Sequence, residues 1–394
     1  MEFRSRPAGG LSPGTDPAAL RVITAAVLVS LVASGVALAS GLGLLAGGAG
    51  PQRPLAGLAH GPAQAAGLKL LRAAAQACRS LPYRGVEVAW WGPGSQTGGD
   101  TSVVQVWHQP GGQALTQDPG AQTLTQAPAA SLAGPGQRHQ PVSSLGSGGP
   151  NLDEAGALGM STQLVSLLAA NYVVTVAGRG QVAGRPARVV TVRRPGGGGV
   201  AAWFWLDSAT SLPLRKEMFD ARARLISSVT FAEVNIGRGA VSGEPVPTAR
   251  AWRTTLAPGQ LARLRASGWP LPGPLPADLT LIAAKESTTP AGPVVDLDYS
   301  DGLSVVSIFV QRGYLPARLR GWSQVALAGH KVYANDPDDL CFAWSARGFV
   351  YTLIAAAPQQ TVGQVVVALP HDDDPGWLAQ LKHGLHRLLV WAGP

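Results

Sequence analysis

The spacing of apolar residues divides the chain into segments of two kinds. Apolar side chains recur at helical intervals over residues 65–79 and 153–171, which predicts two helices. Elsewhere apolar and polar residues alternate, as in residues 83–91, and this period of two predicts a strand. Further strands are predicted before residue 240 at residues 102–108, 172–177, 187–193, 201–206, 215–220 and 225–236.

The second half of the chain repeats this strand-rich pattern. Strands are predicted there at residues 279–286, 294–299, 304–312, 324–332 and 341–356, followed by an amphipathic helix at residues 375–391. Short strands separated by turn residues, with the helices kept apart from them, indicate an α+β fold with a curved antiparallel sheet.

A long apolar run precedes these elements, at residues 22–45. Crossing a bilayer as a helix takes about 20 residues, so the run is long enough. Arg4, Arg6 and Arg21 come before it, and this basic flank keeps the N-terminus in the cytoplasm and exports the remainder. An uncleaved signal anchor is expected, because a cleavable apolar core is usually about 7–15 residues long. The alternative is a signal peptide cut at the small-residue triplet Ala37-Leu38-Ala39.

These patterns predict an N-terminal transmembrane helix followed by two α+β domains, the second smaller than the first. Residues 109–150 are rich in Gly, Pro, Gln and Ser, which predicts a low-complexity loop within the first domain. The expected segments are a cytoplasmic N-terminus (1–21), a transmembrane signal anchor (22–48), a linker (49–63), a first domain (64–240), a linker (241–262) and a second domain (263–394).

The formal net charge of +8 is spread over single and paired basic residues, such as Arg193-Arg194, without a run of five or six. This distribution indicates a solvated basic surface and excludes an obvious nucleic-acid footprint. Export also argues against a nucleic-acid partner. A basic exterior does suit anionic lipid head groups.

The chain has two cysteines, Cys78 and Cys341. In an oxidising compartment an even pair indicates one disulfide, which here would join the start of the first domain to the second. The alternative is a pair of buried thiols.

The sequence shows no catalytic or metal-binding pattern that its context supports. A G-x-S-x-G match at residues 10–14 lies before the apolar run and has no predicted strand ahead of it, so it is not a nucleophile elbow. A P-loop, a CxxC motif and zinc-type Cys/His spacing are absent from the sequence. We therefore expect a protein that is not an enzyme and that has no cofactor and no bound metal.

Aromatic residues are the most suggestive side chains of the first domain. Trp90, Trp203 and Trp205 lie on predicted strands, and alternation places Trp203 and Trp205 on one face. Together with Phe231 they are candidates for the lining of an apolar cavity that holds an acyl chain or an apolar peptide. The alternative is that these residues form an ordinary core.

Several segments resemble the MucB/RseB family, whose members are extracytoplasmic regulators of sigma-E-type factors. In the first domain, residues 205–217 (WLDSATSLPLRKE) with the later Phe231 resemble the family's signature, and residues 83–86 (YRGV) and 182–185 (VAGR) resemble its first strand and its mid-domain hairpin. In the second domain, residues 299–310 (YSDGLSVVSIFV) give the closest match, followed by Gly329-x-x-Val332-Tyr333.

This resemblance implies a LolA-like first domain, a half-open antiparallel sheet over helices with an apolar hollow. It also implies that the two domains bind the extracytoplasmic part of a membrane anti-sigma factor and respond to a lipid signal. The expected function is a membrane-anchored extracytoplasmic regulator of an alternative sigma factor pathway. The alternative is a lipid or lipoprotein carrier that uses the same hollow. The expected location is the cell membrane, as a single-pass protein with its C-terminal domains outside the cytoplasm.

Overall fold

The computed structural model describes residues 61–92, 100–110, 115–117, 158–241, 254–289, 292–319, 322–334 and 341–372. The predicted signal anchor, the first linker up to residue 60, most of the predicted 109–150 loop and the predicted C-terminal helix lie outside the described residues. None of the helices within the described ranges is long and apolar enough to cross a membrane.

The first sheet is antiparallel throughout and has eight strands in the order β3-β2-β1-β8-β7-β6-β5-β4. Two helices accompany it, and a 3₁₀ turn, Arg238–Val241, follows its last strand. Their bounds are α1 Pro62–Ser80, β1 Tyr83–Trp91, β2 Asp100–His108, β3 Leu115–Gln117, α2 Thr162–Asn171, β4 Val173–Val182, β5 Arg185–Arg193, β6 Val200–Asp207, β7 Pro213–Phe219 and β8 Leu225–Ile236.

Helix α1 packs closely on β4 because Gly67 has no side chain. A Cβ at Gly67 would lie 2.8 Å from the carbonyl oxygen of Val174. This approach brings Leu68, Leu71 and Cys78 of α1 into the same buried cluster as the inward side chains of the strands. The core of the first domain therefore lies between one face of the sheet and the helices.

The second sheet is also antiparallel and has eight strands in the order β13-β14-β15-β16-β12-β11-β10-β9. Two helices accompany it, and its core is a separate cluster. The bounds are β9 Thr254–Thr255, α3 Pro258–Ala266, β10 Thr280–Thr289, β11 Gly292–Ser300, β12 Val305–Arg312, β13 Ser323–Leu327, β14 His330–Ala334, β15 Cys341–Ala346, β16 Phe349–Ala356 and α4 Gln359–Ala368. The predicted α+β class, with antiparallel sheets and few helices, is confirmed.

Two long strands of the sequence prediction are hairpins in the structure. Residues 324–332 are divided between β13 and β14, and residues 341–356 between β15 and β16. Each hairpin turns at two residues with positive φ, Ala328-Gly329 and Arg347-Gly348. This is the type I′ geometry, which matches the twist of paired strands.

Other elements also differ from the sequence prediction. Strand β9 and helix α3 lie mostly within the predicted 241–262 linker, and β9 pairs with β10, so the second sheet begins before residue 263. The sequence pattern does not predict helices α3 and α4. The predicted helix at residues 153–171 is helical from Thr162, after the Ser161 side chain accepts a hydrogen bond from the Leu164 amide as an N-cap.

Candidate functional site

The outer face of the first sheet carries an aromatic cluster. Strand pairing aligns Trp203 with Glu217 of β7 and aligns Trp205 with Arg215. Residues that stand directly opposite each other on neighbouring strands share a face of the sheet. On β6 the alternate residues Ala202, Phe204 and Leu206 belong to the core, so alternation places Trp203 and Trp205 on the opposite face, where the half-buried Trp205 still packs against the margin of the core cluster.

The cluster is held by ring contacts and one ion pair. The Trp203 ring packs edge-on against Trp205 and Phe219, with centroids 5.7 and 5.8 Å apart. The Arg215 guanidinium carbon lies 4.9 Å from the centroid of Trp205, and Arg215 pairs with Glu217. Trp203 is 37% exposed. We call these five residues the aromatic face.

The four cavity candidates from the sequence are divided between the two sides of this sheet. Trp90 stands opposite Ser228, which stands opposite Glu217, so Trp90 lies on the outer side with Trp203 and Trp205. Phe231 is buried on the inner side, where its ring packs edge-on against Tyr83 at 6.0 Å. The four side chains therefore do not surround one hollow. On the inner side the described residues of α1 and α2 pack against the strands.

Several side chains with ionisable or nucleophilic groups are buried in the core of the first domain. Cys78, Tyr83, Glu87 and His108 are each at most 2% exposed. Burial raises the pKa of the Cys78 thiol to about 12 and lowers the pKa of His108, whose Nδ1 is 2.7 Å from the Leu81 carbonyl oxygen. The thiol is therefore protonated at neutral pH and has no access to solvent, which makes Cys78 inert.

The predicted Cys78–Cys341 disulfide is not formed in the structure. Both cysteines are buried without a disulfide, Cys78 in the first core and Cys341 beside Val294, Phe309 and Ile354 in the second domain. Because each side chain is committed to the packing of a different domain, the structure corresponds to the alternative of two buried thiols.

A second site lies where the two domains meet, at the turn between β11 and β12. Ser300 Oγ donates to the Ser304 carbonyl oxygen at 2.7 Å and accepts from the Gly302 amide at 2.9 Å. Asp301 Oδ1 accepts from the amides of Leu303 and Ser304 at 2.8 and 2.7 Å. These bonds fix the shape of the turn, and Gly302 supplies its positive φ of 103°.

This turn inserts into the first domain. The Tyr172 hydroxyl donates to Asp301 Oδ2 at 2.7 Å, and Asn171 Nδ2 donates to the Asp301 carbonyl oxygen at 2.9 Å. Leu303 is 3% exposed and belongs to the hydrophobic core of the first domain. Lys216 Nζ lies 3.4 Å from the carbonyl oxygen of Leu303. We call this contact the interdomain junction.

The junction brings together two sequence motifs that are far apart in the chain. Lys216 belongs to the first-domain segment 205–217 and Leu303 to the second-domain segment 299–310. Gly302 sits so close to α2 that a Cβ would lie 2.6 Å from the Leu168 amide nitrogen. No signal in the sequence points to the contacts of this turn with Tyr172 and Lys216.

The environment of the junction perturbs two ionisable groups. Burial, followed by the charge of Asp301, raises the pKa of Tyr172 above its ordinary value. Burial lowers the pKa of Lys216 to about 8, against an opposing effect of Asp301. Tyr172 is thus held as a hydrogen-bond donor, while Lys216 loses its proton at a lower pH than an exposed lysine does.

The second sheet also buries a charge cluster. Lys285 Nζ lies 3.3 Å from Asp298 Oδ2 and 3.7 Å from Asp296 Oδ2, and Ser307 Oγ donates to Asp298 Oδ1 at 2.5 Å. Burial and the neighbouring Asp298 raise the pKa of Asp296. Outside this cluster, Asp207 of the first-domain motif accepts from Arg185 Nε and from the Thr210 amide at 2.8 and 2.9 Å.

The fold and these sites define a two-domain α+β protein in which each domain is one antiparallel sheet packed against helices. Residues 153–253 match the model of the MucB/RseB N-terminal domain. The predicted resemblance to the MucB/RseB family is thereby confirmed over these residues.

Known proteins give the same likeness. The sigma factor AlgU regulatory protein MucB of Pseudomonas aeruginosa is 29% identical over 148 residues, which cover 37% of this chain and 46% of MucB. A crystal structure of MucB is 22% identical to this chain, with a TM-score of 0.47. The alignment covers 79% of this chain and 100% of the MucB chain. A chain from the structure of the P. aeruginosa MucA/MucB complex is 21% identical, with a TM-score of 0.39. The alignment covers 77% of this chain and 98% of the matched chain.

Proposed function

We propose that this protein is an extracytoplasmic regulator that binds the extracytoplasmic part of a membrane anti-sigma factor and is not an enzyme. The observation that carries the proposal is the match of residues 153–253 to the MucB/RseB N-terminal domain. The relative MucB is named a sigma factor regulatory protein, and it has been crystallised with MucA(peri). The aligned segment spans about half of MucB, so the partner and the activity are proposed here for the whole chain.

The aromatic face is the surface we assign to this partner. Trp and Arg are enriched among the residues that dominate binding energy at protein interfaces. Trp203, Trp205 and Arg215 supply this combination on a rigid sheet, where ring contacts already restrict their rotamers. Little conformational entropy is therefore lost when a protein segment covers them.

We further propose that the chain is held at the membrane by an uncleaved helix within residues 22–48. The support is the apolar run of residues 22–45 and the basic flank before it. N-terminal sequencing of the protein isolated from cells is expected to give the original N-terminus. A mature protein that begins near Ser40 would contradict the anchor.

The partner is tested by affinity capture with the full chain, solubilised from membranes in a non-ionic detergent. We expect the wild-type chain to capture a membrane protein that itself retains a sigma factor. Trp203→Ala is expected to weaken this capture by at least about 30-fold, as loss of an interface hot spot of about 2 kcal/mol does.

Val176→Ala is the matched control for this experiment. Val176 is an exposed apolar residue, with 45% of its surface accessible. It stands opposite the core residue Val190, so it shares the inner side of the sheet and not the side that carries the aromatic face. Equal capture by wild type and Trp203→Ala would refute the aromatic face as the binding surface. Capture of no protein that retains a sigma factor would refute the regulatory function, and stoichiometric lipid in the purified chain would favour the carrier.

A further inference from the structure

A cavity lies between the two domains, and its lining includes none of the residues named for the interdomain junction or the aromatic face. Its volume is about 500 Å³, within the range of small-molecule sites. The first domain contributes the hairpin between β7 and β8, with Asp220, Arg222 and Arg224, together with Arg194. The second domain contributes the start of α4 and the β13–β14 turn.

The charged groups of the cavity are unbalanced. Its lining contains three arginines and one carboxylate, Asp220, which leaves two positive charges. Asp220 is already saturated: Oδ1 accepts from the amides of Arg222 and Arg224 at 2.8 and 2.9 Å, and Oδ2 lies 2.8 and 2.7 Å from Nε and Nη2 of Arg224. The carboxylate thus neutralises Arg224 and has no capacity left for the other two guanidinium groups.

The two remaining arginines differ in how they are held. Arg194 donates to the carbonyl oxygens of Val200 and Phe219 at 2.9 and 2.5 Å, which orients its guanidinium without cancelling its charge. Arg222 is exposed, and within the described ranges its side chain has no carboxylate partner. The cavity is therefore bordered by one guanidinium with a fixed orientation, that of Arg194, and by one that can reorient, that of Arg222.

The opposite wall adds donors and no acidic side chain. It includes Gln359, Gln360 and Thr361, the first three residues of α4, where backbone amides have no partner within the helix. The N-cap residue is Pro358, which makes no side-chain cap. Leu327, Ala328 and Ala357 complete this wall with apolar surface.

We propose that this interdomain cavity binds the phosphate group of a phosphate ester. Guanidinium forks match phosphate oxygens with paired hydrogen bonds, and the amides and side chains of α4 approach from the other side. The cavity is larger than one phosphate, and its apolar wall receives the organic part of the ligand. Because both domains supply hydrogen-bond donors, the bound ester links the two domains at a second place, in addition to the interdomain junction.

The experiment is a calorimetric titration of the full chain in a non-ionic detergent at constant ionic strength. The ligands are glycerol 3-phosphate, water-soluble dihexanoyl phosphatidylglycerol, glycerol and a short glutamate-rich peptide. At least one phosphate ester is expected to bind with a Kd below about 1 mM, while glycerol does not bind. Binding of glycerol 3-phosphate indicates a soluble ester, and binding of the lipid alone indicates a phospholipid head group.

Two variants, one in each domain, locate the site. Arg222→Gln removes the adjustable charge, and Gln360→Glu places a carboxylate on the other wall. Each is expected to weaken binding about tenfold, Arg222→Gln by losing one charge-assisted hydrogen bond and Gln360→Glu by repelling the phosphate. A glutamate in the first turn of a helix is favourable for the helix, so a loss of binding by Gln360→Glu does not come from unfolding.

The matched controls are Arg188→Gln and Gln364→Glu, which change exposed residues of β5 and α4 outside the cavity lining. Both are expected to bind like wild type. Absence of binding for both esters, equal weakening by the controls, or preferential binding of the glutamate-rich peptide would each overturn the proposal. The proposed regulatory function is tested separately, since Trp203→Ala is expected to leave ester binding intact.

Discussion

At the scale of single residues, the interdomain junction depends on Gly302, because this residue has no side chain. This position combines a φ of 103° with close contact to the backbone of α2. Either condition alone disfavours a side chain, and here the two coincide. Asp301 then satisfies both the turn and Tyr172, so every oxygen of its carboxylate has a partner.

Gly302→Ala is expected to lower the free energy of unfolding by about 3 kcal/mol, from left-handed strain together with overpacking against Leu168. Gly329→Ala is the control, since Gly329 has a φ of 89° but no atom within 4 Å of the place where a Cβ would lie. It is expected to cost about 1–2 kcal/mol, from strain alone. Urea denaturation measures both, and equal losses would show that contact with α2 does not matter.

The lowered pKa of Lys216 predicts a pH dependence of stability. Its folded pKa of about 8 lies below that of an unfolded lysine, so between these values the unfolded chain binds more protons. The contribution of Lys216 to the free energy of unfolding is therefore low below pH 8 and rises as the pH increases towards 10. Relative to Lys216→Met, the wild type is expected to gain about 2 kcal/mol between pH 7.5 and 9.5.

Denaturation of both proteins at a series of pH values tests this expectation. The comparison with Lys216→Met cancels the groups that titrate in both chains, including Tyr172. A difference in stability that stays constant over this pH range would show that the Lys216 amine is not desolvated in the junction.

At the scale of elements, two-residue turns decide how the strands are divided. Ala183-Gly184, Ala328-Gly329 and Arg347-Gly348 each have positive φ at both residues. Asn and Asp tolerate this conformation better than Ala or Arg, so these turns lack the usual sequence signal. For that reason the sequence pattern predicts a single strand at residues 324–332 and another at residues 341–356.

Arg347→Asn is expected to stabilise the β15–β16 hairpin by about 0.5–1 kcal/mol, because asparagine adopts the left-handed conformation at lower cost. Arg347 is exposed, and its amide donates to Asp372 Oδ1, a bond that the substitution keeps. Thermal unfolding measures the gain. Arg318→Asn, at an exposed residue without a positive φ, is the control and is expected to be neutral.

At the scale of the whole molecule, the two sheets have separate cores that are linked by a small number of contacts. Leu303 of the second domain is buried in the first core, and Leu164 of α2 packs against Ile282 and Ala283 of β10. The interdomain cavity lies elsewhere between the same two domains. Coupling between the domains therefore depends on a few identifiable side chains.

Leu303→Ala is expected to separate the unfolding of the two domains. The wild type is expected to unfold in one calorimetric transition, while the variant, which loses about 2–5 kcal/mol of buried contact at the junction, shows two. Leu297→Ala, in the middle of the second core, is the control and is expected to lower the stability of the second domain itself. A single transition in the Leu303 variant would mean that other contacts couple the domains.

The sequence determined most of the strands, the α+β class and the likeness of residues 153–253 to the MucB/RseB N-terminal domain, because alternation, turn residues and short motifs are local properties of the chain. Strand β8, for example, has the bounds that alternation predicts. The tertiary structure decided which face of each strand is inside. Trp90, Trp203 and Trp205 satisfy alternation equally well on either side, and only the burial of Phe204 and Phe231 in one core cluster with residues of α1 and α2 places the three tryptophans on the outer face. It also decided the interdomain junction and the arginine-lined cavity, since contacts such as Lys216 with Leu303 join residues that no local pattern relates.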